Sequence, residues 1–223
     1  MRTAERTLLR DLAPIAAAML AVGASFGAIA RAAEIPVWAV IALSSALYAG
    51  AAQFMAVGLI AAGSPFAAVL AGLVINARHL PFGLAIGDTV GRRWPAKLVG
   101  SHLMTDEATA FALAQPDGAQ RRRAFWTAGV VLFMAWNIGT VIGVLLGAAA
   151  DPARFGLDAA FPAGLLALLM PALRDRTTRT VAVLGSGIAV VTTPLLPAGL
   201  PILLALVALA VLVWPRARKE QPC

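Results

Sequence analysis

The stretch LAPIAAAMLAVGASFGAIARAA, residues 12–33, contains 22 residues and a single charged side chain, Arg31. A helix of about 20 predominantly apolar residues is long enough to cross the hydrocarbon core of a bilayer. The stretch exceeds the apolar core of a signal peptide, which is about 7–15 residues long. We therefore interpret it as a retained first membrane helix.

The remainder of the chain has the same character. Of its 223 residues, 60% are hydrophobic and 13% are charged, whereas soluble domains are about 45–50% apolar and about 25% charged. Six further segments are long and apolar: 37–61, 66–87, 124–149, 157–173, 180–196 and 199–214. The composition predicts an all-α, polytopic membrane helix bundle with seven to eight transmembrane segments in one membrane-embedded domain, residues 1–223.

Segment 98–115 decides between seven and eight crossings. It is only half apolar, so a further span, a re-entrant piece and a surface helix all stay open. Eight crossings with both termini cytoplasmic place most of the Lys and Arg clusters on the cytoplasmic side, as membrane proteins prefer. This clustering at span ends accounts for the net charge of +7 without a nucleic-acid partner. The only cysteine is Cys223, which excludes a disulfide within the chain.

Two of the apolar segments resemble each other. Arg10 precedes a helix that contains Ser25-Phe26-Gly27, and Arg122, 112 positions later, precedes a helix that contains Asn137-Ile138-Gly139. Both helices carry small residues four positions apart, a spacing that lets helix backbones approach closely. Transporters are often built from repeated halves with broken helices at the substrate site. We expect an internally duplicated fold with broken helices and with halves 1–115 and 120–215.

Polar side chains inside apolar spans are candidates for function because they are expensive to bury in lipid. The first group lies in SSALYAGAAQF, residues 44–54. On a continuous helix Ser45, Tyr48 and Gln53 would share one face, and the small residues between them would leave room for a ligand. The pattern predicts a substrate-facing patch; the alternative is hydrogen bonding between helices, worth about 0.6 kcal/mol per contact.

The second group lies in NARHLP, residues 76–81. An arginine near the membrane centre costs about 2.5–3.5 kcal/mol, so Arg78 needs a partner, a cavity or the interface. Pro81 removes a helix hydrogen bond and predicts a bend. A broken helix at membrane depth is tolerated where it lines a cavity. The alternative is that Arg78 extends to the lipid headgroups.

The third group lies in HLMTDE, residues 102–107. His102 and Asp106 are four residues apart and would share a helix face. A buried carboxyl group can take up and release a proton during transport, and its partner would be Arg78 or His79. The alternative is an ordinary solvated loop in which Thr105 caps a helix.

Four blocks of the sequence together resemble the AzlC family, the large subunits of branched-chain amino-acid permeases. They are Ser25-Phe26-Gly27, residues 44–54, NARHLPFG at 76–83 and HLMTDEA at 102–108, and the similarity extends through Trp136, Asn137 and Gly139. The resemblance implies a multi-pass protein of the bacterial inner membrane that exports leucine, isoleucine, valine and methionine. It also implies that export is driven by the proton-motive force and that a small AzlD-like membrane subunit is the partner.

A zwitterionic amino acid needs a cation, an anion and an apolar pocket. We expect Arg78 to meet its carboxylate, and Asp106 or Glu107 to meet its ammonium group or to carry the coupled proton. The substrate-binding candidates are Ser45, Tyr48, Gln53, Asn76 and Arg78, and the proton-coupling candidates are His79, His102, Asp106 and Glu107. No catalytic residue, metal or other cofactor is expected.

Three other functions stay open. A passive channel subunit would conduct without dependence on the proton gradient, and a structural subunit would leave transport to its partner. A metal-dependent membrane enzyme would use His79, His102 and Glu107, which are residue types that zinc accepts, and would hold stoichiometric metal. The sequence contains no H-E-x-x-H zinc-protease motif, so we expect no enzyme.

Overall fold

The structure, a computed structural model, describes residues 2–116, 118–149, 170, 173–196 and 200–209. The regular structure in these ranges is helical throughout, which confirms the all-α class. The helices are α1 (Arg2–Ala32), α2 (Val37–Ala42), α3 (Gly50–Ala61), α4 (Pro65–Asn76), α5 (His79–Val90), α6 (Trp94–His102), α7 (Asp106–Leu113), α8 (Ala119–Ala149), α9 (Arg176–Thr192) and α10 (Leu200–Ala205). A π-helical turn, Leu43–Leu47, continues α2, and a 3₁₀ turn, Leu206–Leu209, follows α10.

The long helices α1 and α8 pack against each other along their glycines. A Cβ atom on Gly23 would lie 2.5 Å from the Trp136 carbonyl oxygen, and one on Gly143 would overlap the carbonyl group of Ala24. Gly27 approaches the backbone of α8 in the same way. The small-residue spacing of both helices is therefore confirmed as a packing surface, where dispersion contacts replace the hydrophobic drive that lipid cannot supply.

Segment 37–61 is broken in its middle. After the π-helical turn, Tyr48 has a φ of 37° and a ψ of 54°, in the left-handed region, and Ala49 is extended before α3 begins at Gly50. A left-handed residue ends a right-handed helix because the next amide no longer points along the axis. Residues 48 and 49, the 48–49 break, separate two short apolar helices.

Segment 66–87 is also broken. Helices α4 and α5 meet at an angle of 47° across Ala77 and Arg78, the 77–78 break. The bend lies four residues before Pro81, whose ring clashes with the carbonyl group at that position of a continuous helix. The predicted bend is confirmed.

Segment 98–115 is no single helix. It consists of the end of α6 and all of α7, separated by residues 103–105, the 103–105 break. Helix α7 has 8 residues, a length of about 12 Å at about 1.5 Å per residue. Thr105 caps α7, because its hydroxyl oxygen accepts a hydrogen bond of 3.2 Å from the Ala108 amide. The cap belongs to the alternative interpretation of this segment as an ordinary loop; that cap is confirmed, and the crossing of the segment stays open.

Two described helices are long and apolar enough to cross a membrane, Thr7–Ala32 and Ala119–Ala148, or three if the bent pair α4–α5 is one span. The predicted seven to eight spans are not confirmed. Of the predicted segments, 157–173 lies almost wholly outside the described residues, and 199–214 is described only in part. The duplication into halves 1–115 and 120–215 and the single domain therefore stay predictions.

Candidate functional site

The 48–49 break is held by the side chain of Gln53. Its Nε2 atom donates a hydrogen bond of 2.5 Å to the Leu43 carbonyl oxygen, which also accepts the Tyr48 amide at 3.3 Å. Gln53 is 0% exposed. Its amide therefore joins the two half-helices at a carbonyl oxygen that also accepts the hydrogen bond closing the π-helical turn.

The two serines before the break point to different places. Ser44 is buried and lies 2.9 Å from Asn137 Oδ1 and 3.0 Å from Thr140 Oγ1 on α8. Ser45 instead donates to the carbonyl oxygen of Ile41 in its own helix, at 2.8 Å. The face that Ser45, Tyr48 and Gln53 would share on a continuous helix is not formed, because the chain unwinds at Tyr48. A substrate role for Ser45 stays a prediction.

The Tyr48 ring links the 48–49 break to the end of α6. Its centroid lies 6.0 Å from that of His102 and 4.9 Å from that of Phe133, while His102 and Phe133 are 5.6 Å apart. Glu107 lies within electrostatic range of Tyr48. The first and third predicted polar groups are therefore neighbours in space.

Arg78 and Asp106 form an ion pair. The distance between Arg78 Nη2 and Asp106 Oδ2 is 2.9 Å, and the side chains are 39% and 45% exposed. The predicted partnership of the carboxylate with Arg78 is confirmed, whereas His79 Nδ1 lies 3.0 Å from the Asn76 carbonyl oxygen. The ion pair joins the 77–78 break to the first residue of α7, just after the 103–105 break.

The three breaks thus form one connected site. Segment 102–107 contacts the 48–49 break through His102 and the 77–78 break through Asp106. Six of the nine predicted site residues, Tyr48, Gln53, Arg78, His79, His102 and Asp106, have side-chain contacts in or beside these breaks, whereas Asn76 and Glu107 lie beside the breaks with no such contact described. The ninth, Ser45, bonds within its own helix.

Several buried polar atoms beside the breaks have no hydrogen-bond partner among the described residues. They are Tyr48 Oη, Gln53 Oε1, Asn76 Oδ1, Arg78 Nε, Thr109 Oγ1 and Trp136 Nε1. A buried polar group left unpaired costs about 1–3 kcal/mol. Such a concentration of unsatisfied donors and acceptors is suited to a polar ligand.

Thr109 and Trp136 were not among the predicted site residues. Thr109 lies three residues after Asp106, and helical spacing could have placed both on one face. Trp136 packs against Gly50, the first residue of α3, with its ring atom Cη2 3.0 Å from the position of a Cβ there. No local sequence signal indicates a contact between residues so far apart in the chain.

Enzymatic patterns find no structural support in the described residues. Residues 23–27 read GASFG, which matches the G-x-S-x-G pattern of hydrolases letter by letter. That pattern requires a sharp strand-to-helix turn, but Ser25 lies inside α1, where its hydroxyl group donates to the Ala21 carbonyl oxygen at 3.2 Å. Within the described ranges, no three His, Cys, Asp or Glu side chains are grouped to hold a metal ion.

Comparison with known proteins places this arrangement in a family. Residues 14–150 match the family described as AzlC protein. An "Uncharacterized membrane protein" of Helicobacter pylori is 29% identical over 185 residues, which are 81% of this chain and 80% of that protein. One of Archaeoglobus fulgidus is 28% identical over 183 residues, 79% of this chain and 78% of that protein.

A relative from Escherichia coli, "Inner membrane protein YgaZ", is 28% identical over 172 residues, which are 74% of this chain and 67% of that protein. No solved structure matches. The match to the family covers more than half of the chain and includes all three helix breaks. The chain belongs to the AzlC family of membrane proteins.

Proposed function

We propose that this protein is a multi-pass secondary transporter of the bacterial inner membrane that exports branched-chain amino acids. Leucine, isoleucine, valine and methionine are its proposed substrates, the proton-motive force is its proposed drive, and a small AzlD-like membrane subunit is its proposed partner. Family membership supports the transporter class, and the resemblance described above supports the substrates and the partner.

The observation that carries the proposal is the ion pair of Arg78 and Asp106 between two helix breaks. Broken helices at membrane depth are tolerated where they line a cavity, and transporters place substrate and coupling-ion sites at such breaks. Ionisable residues within membrane segments commonly mark substrate or proton pathways. The pair supports the proposal because it consists of two ionisable residues that lie beside two helix breaks.

The pair also suggests how a proton is coupled to the substrate. Arg78 binds either the Asp106 carboxylate or the carboxylate of an amino acid, so these two anions compete for one guanidinium group. Protonation of Asp106 removes the first competitor and frees Arg78 for the second. His79, His102 and Glu107 are proposed to deliver or receive that proton, because they lie on the segments that meet at the breaks.

The side chain of the substrate needs an apolar environment. An apolar cluster that includes Phe26, Phe54 and Val57 lies beside the 48–49 break, and we propose that an aliphatic side chain packs at its edge. An apolar pocket separates substrates by only about 1–3 kcal/mol per methylene group. The branched-chain assignment therefore rests on the family and not on this cluster.

The test is efflux of labelled leucine from cells loaded with a leucine dipeptide, with the small subunit present. Arg78→Gln and Asp106→Asn are compared with Arg92→Gln and Asp88→Asn, which change exposed residues outside the site. We expect efflux to collapse in the first two variants and on addition of an uncoupler, and to persist in the control variants at equal membrane expression.

Other results would contradict the proposal in distinct ways. Efflux that survives the uncoupler indicates a passive channel. Efflux that survives both Arg78→Gln and Asp106→Asn removes the assigned coupling site. Absence of efflux of any branched-chain amino acid removes the substrate class.

A further inference from the structure

We infer that residues 94–113, which form α6 and α7, and residues 37–61 are two re-entrant hairpins that enter the membrane from opposite sides. Each hairpin turns inside the membrane and leaves on the side from which it came. The 103–105 break is the turn of the first, the 94–113 hairpin, and the 48–49 break is the turn of the second, the 37–61 hairpin. The inference uses the membrane location of the family and not the proposed substrate.

The long helices α1 and α8 define the two ends of the bundle. Gly139 of α8 meets Leu20 of α1, and further along α8 Gly147 meets Ala28. Because the residue numbers rise together on both helices, α1 and α8 are parallel. Their first residues therefore lie at the same end of the bundle, which we call the basic end, and their last residues lie at the opposite end.

The 94–113 hairpin begins and ends at the basic end. Its start follows the end of α5, where a Cβ atom on Gly91 would lie 3.0 Å from Nη2 of Arg122 in the first turn of α8. Val90 of α5 belongs to one buried cluster with Phe125 of α8 and Leu12 of α1. Since only a short loop joins α7 to the start of α8, both ends of the hairpin lie beside the start of α8.

The turn of this hairpin lies about halfway along α8. A Cβ atom on Gly129 would lie 3.1 Å from the Cβ atom of Leu103, and the ring centroids of His102 and Phe133 are 5.6 Å apart. Phe133 follows Arg122 by 11 positions, a distance of about 16 Å at about 1.5 Å per residue. The hydrocarbon core of a bilayer is about 30 Å thick, so the chain turns back near its middle.

These contacts disagree with a crossing of residues 98–115. Eight crossings would put residues 91–93 and 121–123 on opposite sides of a hydrocarbon core about 30 Å thick. The close approach of Gly91 to Arg122 is incompatible with that separation.

The charge of the basic end assigns it to the cytoplasm. The basic residues there are Arg10, Arg92, Arg93, Lys97, Arg121, Arg122 and Arg123. Lys and Arg are in excess in cytoplasmic loops of membrane proteins. At the opposite end, the connection between α1 and α2 carries Arg31 and Glu34, whose charges cancel.

The 37–61 hairpin begins and ends at the opposite end. It begins there because α2 follows the end of α1. Helices α4 and α5 are bent by only 47°, so together they continue in one direction from Pro65 to Val90. Because α5 ends at the basic end, α4 begins at the opposite end, and α3 directly precedes it.

The contacts beyond the turn of the 37–61 hairpin agree with this reversal. At the turn, the ring centroid of Tyr48 lies 4.9 Å from that of Phe133 on α8. After the turn, Phe54 packs against Phe26 of α1, with ring centroids 5.5 Å apart. The residue after Phe26 meets the backbone of Thr140, which lies beyond Phe133 toward the opposite end. Helix α3 therefore runs back toward the end from which α2 came.

The two turns meet at the candidate site. The ring centroids of Tyr48 and His102 are 6.0 Å apart, and Asp106 after the 103–105 break pairs with Arg78 at 2.9 Å. Non-helical backbone at membrane depth is tolerated where it is buried in protein or lines a cavity. The hairpins divide the path across the membrane into a cytoplasmic half beside residues 94–113 and an outer half beside residues 37–61, and the ion pair lies where the halves meet.

The test is the side from which single cysteines react with a membrane-impermeant maleimide, in the full-length chain with Cys223→Ser as background. Arg93→Cys and Gln120→Cys flank the 94–113 hairpin, and Ala32→Cys and Ala62→Cys flank the 37–61 hairpin. All four of these residues are exposed. Spheroplasts present the outer side to the reagent, and inside-out membrane vesicles present the cytoplasmic side.

We expect Arg93→Cys and Gln120→Cys to react in inside-out vesicles and not in spheroplasts, and Ala32→Cys and Ala62→Cys to show the reverse. The matched control is Ala108→Cys in α7, at a position that is 0% exposed. It should react from neither side until the protein is denatured. All variants are compared at equal membrane expression.

Three results would overturn the inference. Reaction of Arg93→Cys and Gln120→Cys from opposite sides overturns the 94–113 hairpin, and reaction of Ala32→Cys and Ala62→Cys from opposite sides overturns the 37–61 hairpin. Reaction of all four from one side overturns the opposite orientation of the two.

The failures of this inference and of the proposed function are distinguishable, because leucine efflux is measured with the same variants. The expected labelling without efflux of any branched-chain amino acid supports the hairpins and overturns the proposed substrate class. Leucine efflux together with labelling from opposite sides of either hairpin overturns the inference and leaves the proposed function.

Discussion

The Arg78 guanidinium group and the Asp106 carboxylate meet at 2.9 Å, and each residue stands at the start of a short helix. Arg78 immediately precedes α5, and Asp106 is the first residue of α7. The ion pair therefore joins two broken segments at the points where their second helices begin.

The ion pair should matter far more for transport than for stability. Because the side chains are 39% and 45% exposed, the pair contributes less than about 1 kcal/mol to folding. We expect Arg78→Gln, Asp106→Asn and the double variant to keep the wild-type free energy of unfolding within that limit. Leucine efflux should fall by about tenfold or more, equivalent to about 1.4 kcal/mol of lost interaction. Thermal unfolding in detergent measures the effect on stability, and efflux from cells measures the effect on transport.

The glycines between α1 and α8 should be intolerant of a methyl group. A Cβ atom on Gly143 would overlap the Ala24 carbonyl group, whereas a Cβ atom on Gly72 would meet nothing within 4 Å. We expect Gly143→Ala to destabilise the protein by about 1–3 kcal/mol, the range for overpacking. Gly72→Ala should be neutral or stabilise by about 0.5–1 kcal/mol. Thermal unfolding of the purified variants measures both effects. Equal melting temperatures of Gly143→Ala and the wild type would contradict the close packing of α1 and α8.

Substitution of Ser44 should destabilise the protein more than substitution of its neighbour Ser45. Ser44→Ala removes contacts to Asn137 and Thr140 on α8, while Ser45→Ala removes only a bond within its own helix. We expect the first change to lower stability by about 1 kcal/mol and the second to leave it nearly unchanged. Chemical or thermal unfolding measures both. A larger loss for Ser45→Ala would show that the break has a different register.

The Thr105 cap should control the position of Asp106. Thr105→Ala removes the acceptor of the Ala108 amide, and loss of such a cap costs about 0.5–2 kcal/mol. We expect α7 to fray at its start and leucine efflux to fall, because Asp106 follows the cap directly. Thr105→Ser keeps a hydroxyl group and should restore both. Efflux that falls equally in Thr105→Ser would instead indicate a role for the threonine methyl group.

Much of the architecture follows from local sequence. The apolar stretches predict helices, Pro81 predicts the bend at Ala77, and the small residues of α1 and α8 predict their close packing. Each of these signals, though not the choice of α8 as the partner of α1, depends on residues within a few turns of one another. The blocks 44–54, 76–81 and 102–107 could be recognised as polar sites, but the sequence predicts a break only for 76–81.

The register at the 48–49 break could not be predicted in this way. A face shared by Ser45, Tyr48 and Gln53 assumes a continuous helix, and the left-handed conformation of Tyr48 removes that assumption. Gln53 then turns to the Leu43 carbonyl oxygen and Ser44, not Ser45, reaches α8. The left-handed conformation of one residue leaves the apolar pattern of the sequence unchanged. It nevertheless changes the direction of the side chains that follow Tyr48.

The sequence alone determined that this chain is a helical membrane protein and where polar residues interrupt its apolar segments, because polar residues are expensive to bury in lipid and are rare there. Only the tertiary structure decided that Arg78 meets Asp106, that Tyr48 meets His102, and that Trp136 covers Gly50. These pairs are distant in the chain. Their contacts depend on how broken helices pack around α1 and α8, and no local preference of the residues encodes that packing.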